Sequence, residues 1–208
     1  MARPISVSSI VKMRFTQDQL ELGYRKAKSC PVSGHSSVRE DGAVRDAHKP
    51  VDLYVGTMGE LAGNLHFFTL EHFLEKRKQS EANKYKSDGG SDTLGYKIDY
   101  KARNCRSYSP VDFWFGVRPR ERHAGNTYVH ICIQTFDLSP EQLTFGNIKP
   151  IAYIIGWTTD DIVEERGLRF PDGPWGPRNG EEAAYVLKPY MLNNLRSFRV
   201  ENVLSTAE

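Results

Sequence analysis

The 208-residue chain has no long hydrophobic run: its longest apolar stretch, Ile151 to Trp157, is seven residues and already includes Gly156. A helix crossing a bilayer needs about 20 apolar residues, so no membrane span is expected. The stretch from Met1 to Phe15 is interrupted by Lys12 and Arg14 and lacks the apolar centre of a secretory signal, which leads to the expectation of a cytoplasmic protein. Cysteine is scarce too. Cys30, Cys105 and Cys132 are odd in number, far apart and without a CxxC pair, which argues against a zinc knuckle or disulfide framework and for buried reduced thiols. The histidines show no HxxxH or HNH spacing, and there is no P-loop, no GxGxxG and no internal repeat, so a histidine metal centre and nucleotide-driven chemistry have no support. Charge of one sign is also missing: 28 Lys and Arg face 26 Asp and Glu, a net charge of +2. What is present suffices to fold, since 39% hydrophobic and 26% charged residues lie near the globular average and the length suits one domain.

Thr16 and Gln19 have the spacing of a capping box, with Phe15 and Leu20 as a hydrophobic staple, and predict a helix over 17–28. The segment 29–50 is polar and follows neither the helical nor the strand period, so it is expected to be a long loop. Thr57 and Glu60 form a second capping box, and Met58, Leu61, Leu65, Phe68 and His72 recur at helical spacing, predicting one helix from there to Arg77 that packs on a sheet. Four β-branched and aromatic segments, 96–103, 111–117, 127–136 and 150–157, read as strands of one sheet, with Gly95 turning the chain before the first. Thr158 and Asp161 would cap a short helix to Arg166. Residues 167–180 hold four Gly and three Pro, so they form a shaped loop around Trp175. A short strand and a turn over 184–195 close the chain. The order of elements is α/β, or α+β.

Asp99 and Lys101 are the only acid-x-Lys match in the chain. In a strand, residues i and i+2 share a face about 6–7 Å apart, so the carboxylate and the ammonium point into one place while Tyr100 points away. Asp92 lies before the Gly95 turn, and a hairpin there delivers a second carboxylate beside Asp99. Hard oxygen ligands of this kind hold Mg²⁺ or Mn²⁺, which readily bridge a phosphate. The metal would polarise the phosphoryl group, while Lys101 would orient or deprotonate the nucleophile and offset charge. The plainer reading is a cross-strand ion pair, worth about 0–1 kcal/mol. Glu60 is a further candidate, though a Glu at the third position of a capping box is explained by the cap alone.

Between Lys97 and Arg122 seven basic residues face three acids, so the small net charge is concentrated here. Arg118, Arg120 and Arg122 alternate between two strands, and with Arg103 and Arg106 they are candidate phosphate contacts. Lys76, Arg77, Lys78, Lys84 and Lys86 form a second basic cluster. An ordinary solvated face is the alternative for both. Trp114, Trp157 and Trp175 read as core residues, with Trp175 also placed to stack on a base.

Over residues 56–195 the chain resembles the PD-(D/E)xK nucleases, in particular their phage and bacterial members. Gly56-Thr57-Met58-Gly59-Glu60-Leu61-Ala62 is similar to the first helix of that family, Ser91-Asp92 to its first acidic motif, and Ile98-Asp99-Tyr100-Lys101 to its acid-x-Lys strand. Residues 154–162 and 185–195 resemble the strand-turn-helix and closing segment that follow. Two departures are that no Pro precedes Asp92 and that the seven-residue gap to Asp99 is short. The resemblance implies a restriction-endonuclease-like core, a central mixed β-sheet flanked by helices, over 56–208. Residues 1–55 would then be a helix and polar arm packed on it or appended to it. It also implies Mg²⁺-dependent hydrolysis of DNA, or of RNA, with Mn²⁺ able to substitute. Asp92, Asp99, Lys101 and Glu60 would be catalytic, and the Tyr100 carbonyl a metal ligand beside Asp92 and Asp99. Paired cuts would require a homodimer. The rivals are a non-catalytic nucleic-acid-binding protein with the same core, and a structural ion pair in a protein that assembles with other proteins.

Overall fold

The expected capping box at Thr16 forms. Its N–H donates to Gln19 Oε1 at 2.9 Å and its Oγ1 accepts from Gln19 N at 3.3 Å, opening α1 (Gln17–Ser29). Phe15 and Leu20 join one apolar cluster, as a staple requires. A computed structural model describes residues 9–29, 49–82, 91–105, 114–135, 150–172, 175–177 and 182–203. The expectations for Cys30, Lys84, Lys86, Arg106, residues 30–48 and residues 111–113 lie outside these.

The second capping box does not form. Helix α2 runs Lys49–Phe67, so Thr57 and Glu60 lie in its middle, where no N–H awaits a cap. The true start carries Pro50 in its first turn, where a missing N–H costs nothing. The helix also does not continue to Arg77. It stops at Phe68, and Thr69 begins α3 (Leu70–Ala82) by accepting from His72 N at 3.3 Å. The chain thereby turns back on α2 and brings Arg77 to Thr57 and Glu60.

The main sheet contains β1 (Val11–Arg14), β2 (Ile98–Asn104), β4 (Thr127–Gln134) and β5 (Ile151–Thr159) in the order β1-β5-β4-β2. β2 pairs parallel with β4, and the other neighbours are antiparallel, so this is a mixed sheet in an α/β fold. The strand β3 (Phe115–Val117) does not join it as expected. It pairs with β6 (Tyr185–Leu187) in a separate two-stranded sheet. β1 is an outer strand that composition did not signal, four residues in which exposed and half-buried positions merely alternate. The short helix α4 spans Asp160–Arg166, and its cap is Thr159, which accepts from Ile162 N. Thr158 is buried with its Oγ1 on His130 Nε2 at 2.9 Å, because strand alternation turns it inward. Residues 11–29 and 49–55 belong to the same body: β1 extends the sheet, α1 packs on α2, and position 55 falls inside α2.

Two apolar clusters lie on the two sides of the sheet. On one, Ile98, Tyr100, Val129, Ile131 and Ile133 meet Met58, Leu61 and Ala62 of α2. On the other, Tyr128, Cys132 and Cys105 meet Phe115, Leu187 and Val163. Close approach of α2 to β2 depends on two glycines one turn apart. A Cβ on Gly59 would fall 2.3 Å from Ala102 Cβ, and one on Gly63 2.2 Å from the Tyr100 ring. Glycine there lets the helix backbone lie on the strand and sets Glu60 beside it. Among the described residues no helix is long and apolar enough to cross a membrane.

Candidate functional site

Strand β2 is the outer strand on its side of the sheet, and its odd-numbered backbone groups serve β4. Thr127 N donates to Lys97 O at 2.8 Å and Cys105 N to Ile133 O at 2.9 Å. The even-numbered groups face the open edge. There the chain turns back at Gly95, whose φ of +71° suits glycine, and Asp92 comes alongside. Asp92 N donates to Ile98 O at 2.8 Å, and Tyr100 N donates to Asp92 Oδ2 at 2.7 Å. The N–H and C=O of one strand residue point to the same side, so the Tyr100 carbonyl also faces this edge, beside Asp92.

The turn is held from two directions. Ser91 Oγ donates to Tyr96 O at 2.5 Å, and Thr93 Oγ1 to the same carbonyl at 2.9 Å. His72 of α3 accepts the Leu94 N–H on Nε2 at 3.0 Å. The chain therefore folds back at Gly95 as a turn rather than a two-stranded hairpin, with Asp92 bonded to the edge of β2.

Asp99 and Lys101 share a face, as strand alternation requires, with Lys101 Nζ 2.9 Å from Asp99 Oδ2. Tyr100 points into the α2 cluster instead. Asp99 is 7% exposed, so its charge is set in a dry place. Burial first, and then the neighbouring Asp92 carboxylate, push Asp99 up to about 8. Glu60 is likewise pushed up to about 8, by burial and then by Asp92, with a smaller push from Asp99. Three carboxylates from α2, the turn and β2 therefore share one field, and they do not all ionise together at neutral pH.

Two cations answer them. Lys101 lies between Asp99 and Glu121, 3.3 Å from Glu121 Oε2. Burial disfavours its charge, but Asp99 and Glu121 outweigh this and hold the ammonium above its ordinary range. Where these acids are ionised, they favour the charged, hydrogen-bond-donating form of Lys101. Arg77 bonds Glu60 Oε2 at 2.8 Å and Thr57 Oγ1 at 3.3 Å. Glu60 consequently has a partner other than the cap its position in the sequence suggests.

The donors are all hard oxygens: two carboxylates and a carbonyl at one open strand edge, in a field short of positive charge. That chemistry fits Mg²⁺ or Mn²⁺ and not a soft metal. Among the described residues no three His, Cys, Asp or Glu side chains enclose a metal position.

The basic residues separate into different environments. Arg122 is tied to Asp160 by two 2.8 Å bonds and to Glu164 at 2.9 Å, so its fork is already engaged. Arg118 donates to Gly176 O at 3.1 Å. Arg120 is exposed, on the 3-10 turn Pro119–Glu121. Arg103 donates to Trp114 O and lies over the Trp175 ring. Cys105 and Cys132 are buried free thiols. His130 is fully buried and its ring is pushed down to about 3 by burial, which keeps it neutral in the core.

Sequence reasoning missed Arg77, Glu121 and His72 as site neighbours. Arg77 meets Glu60 across 17 positions and Glu121 meets Lys101 across 20, separations that no periodicity encodes. A cap at Thr69 is the one local signal that would have turned α3 back and brought Arg77 in. No family model, no curated protein and no solved structure matches the chain.

Proposed function

We propose that this protein is a divalent-metal-dependent nuclease that hydrolyses phosphodiester bonds in DNA, built on a restriction-endonuclease-like core. The observation that carries the reading is that Asp92 accepts the Tyr100 N–H at 2.7 Å on the edge of β2 and acts on the neighbouring Asp99, which lies 2.9 Å from Lys101. A field in which buried carboxylates are forced toward protonation is one that a divalent cation relieves. Asp92, Asp99 and the Tyr100 carbonyl would hold it. When bound, such a cation polarises a phosphoryl oxygen and lowers the pKa of a coordinated water.

The chain's own groups supply the rest. Lys101 offers a fixed ammonium that orients the attacking water and offsets charge growing on the phosphate. Asp99 and Glu121 hold that ammonium in place. Glu60, kept in reach by Arg77, is a further carboxylate for the cation or for a water on it. Arg120 and Arg118 on the neighbouring turn would meet the substrate backbone.

The test incubates purified protein with plasmid, linear duplex and single-stranded DNA in Mg²⁺, Mn²⁺ or EDTA. Cleavage is expected only with metal and is expected to disappear in Asp99→Ala; cleavage that survives that substitution overturns the assignment. Lys101→Ala is expected to lose turnover while retaining metal binding. The non-catalytic reading draws on the same ion pairs, because Asp99–Lys101 and Glu60–Arg77 already balance part of the charge. Salt-dependent DNA binding with no metal-binding heat and no product would select it.

A further inference from the structure

Asp99, Lys101 and Arg103 occupy alternate positions of β2 and so share one face, each step about 6–7 Å. That face looks toward the small β3–β6 sheet, and beyond Lys101 the surroundings change from carboxylates to aromatic rings. The Arg103 guanidinium lies 4.5 Å from the centre of the Trp175 ring and donates to the Trp114 carbonyl. Lys188, which follows β6, sits 4.6 Å from the centre of the Trp114 ring. Phe170 flanks the same indole at 5.2 Å with a 30° tilt.

Arg103 and Lys188 differ from the other cations of this region. Arg122 and Arg169 also lie over an aromatic ring, that of Tyr185, but each has a carboxylate partner, Asp160 and Glu182 respectively. Arg103 and Lys188 have none among the described residues. Fully buried cations are ordinarily paired with acids, whereas half-buried ones can bury their stems and keep the charged head available. Burial also lowers Arg103 from its ordinary value, as befits a cation in a dry place without an anion. Their contacts with rings leave N–H donors for a ligand's anion, and Trp114 and Trp175 are themselves only half-buried.

We propose that Arg103, Lys188 and Trp114 form a subsite for single-stranded nucleic acid. A phosphate would meet Arg103 and Lys188 and an unpaired base would stack on Trp114, one or two nucleotides from the carboxylates of the cleavage site. Trp175 holds Arg103 in position: its indole lies against Gly116, where a Cβ would come within 1.9 Å of the ring. In this subsite a base takes the Trp114 face by displacing the Lys188 ammonium, 4.6 Å from the ring, which then follows the phosphate. The requirement for an unpaired base selects single strands, because the bases of a duplex are stacked on each other and not on protein. This subsite rests on the nucleic-acid reading of the chain but not on its catalysis.

The experiment is fluorescence anisotropy in EDTA with the full chain, using a labelled 20-nucleotide oligo-dT and a labelled hairpin duplex. Trp114→Leu, which keeps an apolar side chain of fair size, is expected to weaken oligo-dT binding by roughly 5- to 150-fold, the range for one lost stacked base, and duplex binding by less than about 2-fold. Lys188→Gln, a change of one half-buried cation that spares the fold, is expected to lower the salt slope of oligo-dT binding by about 0.7. The proposal is overturned if both variants leave oligo-dT affinity and its salt slope unchanged. It is equally overturned if they weaken the duplex as much as the single strand, which would make the face a contact for duplex backbone only. Binding through Trp114 without cleavage in Mg²⁺ would sink the nuclease and keep this subsite. Cleavage by a wild type that binds both DNAs independently of Trp114 would do the reverse.

Discussion

Replacing Asp92 by Asn isolates the electrostatic cost of the site from its hydrogen bonds. The amide oxygen can still accept the Tyr100 N–H that Asp92 Oδ2 accepts at 2.7 Å, so what is removed is charge. After burial, that charge is the largest contribution raising both Asp99 and Glu60 to about 8. Both groups bind protons more readily folded than unfolded, where carboxylates titrate near 4. Their contribution is therefore fully present below about pH 4 and is lost as pH rises through about 8, with a slope approaching about 1.4 kcal/mol per pH unit for each proton retained. If removing Asp92 relieves each neighbour by about one pK unit, the gain at pH 8.5 is about 2–3 kcal/mol. In a domain of this size that is roughly 5–10 °C in Tm. At pH 5 the neighbours carry their protons and the gain vanishes. Thermal melts of wild type and Asp92→Asn in EDTA at pH 5, 6.5 and 8.5 measure this, with Asp92→Ala as the control that also loses the acceptor. A variant equally destabilised at all three pH values would refute the reasoning, making Asp92 a structural bond partner and nothing more.

Arg77→Met leaves Glu60 without its 2.8 Å partner in a pair whose side chains are 18% and 22% exposed; a loss of about 2–4 kcal/mol is expected in urea unfolding above about pH 8, where Glu60 is ionised, with a smaller loss at pH 6 where it holds a proton, and the double variant Arg77→Met/Glu60→Gln should recover most of it. Gly63→Ala would press a methyl into the Tyr100 ring at 2.2 Å, so a loss of about 1–3 kcal/mol by the same measurement is expected, where a helix-propensity argument alone would predict a gain. His72 accepts the Leu94 N–H only when Nε2 is unprotonated, and burial lowers it from its ordinary value. Its support of the Asp92 turn is present above about pH 6.5 and lost as pH falls through the lowered value. Amide exchange at Leu94, corrected for intrinsic rates, should speed up on acidification in wild type and be fast throughout in His72→Ala.

The parts legible in the sequence were those set by local rules. Strand alternation placed Asp99 and Lys101 on one face, the Gly95 turn brought Asp92 alongside, and the Thr16 box capped its helix. Where two local signals compete, the pattern misleads. Thr57-x-x-Glu60 has the form of a cap, but the apolar spacing runs on before it to Val51 and Tyr54, and the interior of a helix offers no N–H to cap. Thr158 and Thr159 are equivalent on paper, and only the inward turn of Thr158 toward His130 decides which of them caps α4. The strand at Phe115 has the same composition as its neighbours, but its partner is Tyr185–Leu187, which sequence spacing does not announce. Arg77 and Glu121 were invisible for the same reason. Each reaches the site through the return of the chain and not through any period.

The most direct test of the account is a crystal of the protein soaked in Mn²⁺ at about pH 8, with data collected to locate the ion by its anomalous scattering. One peak is expected about 2.0–2.3 Å from carboxylate oxygens of Asp92 and Asp99 and from the Tyr100 carbonyl, lost in Asp99→Ala. A map with no peak there, and with Asp99 still closed on Lys101, would contradict it.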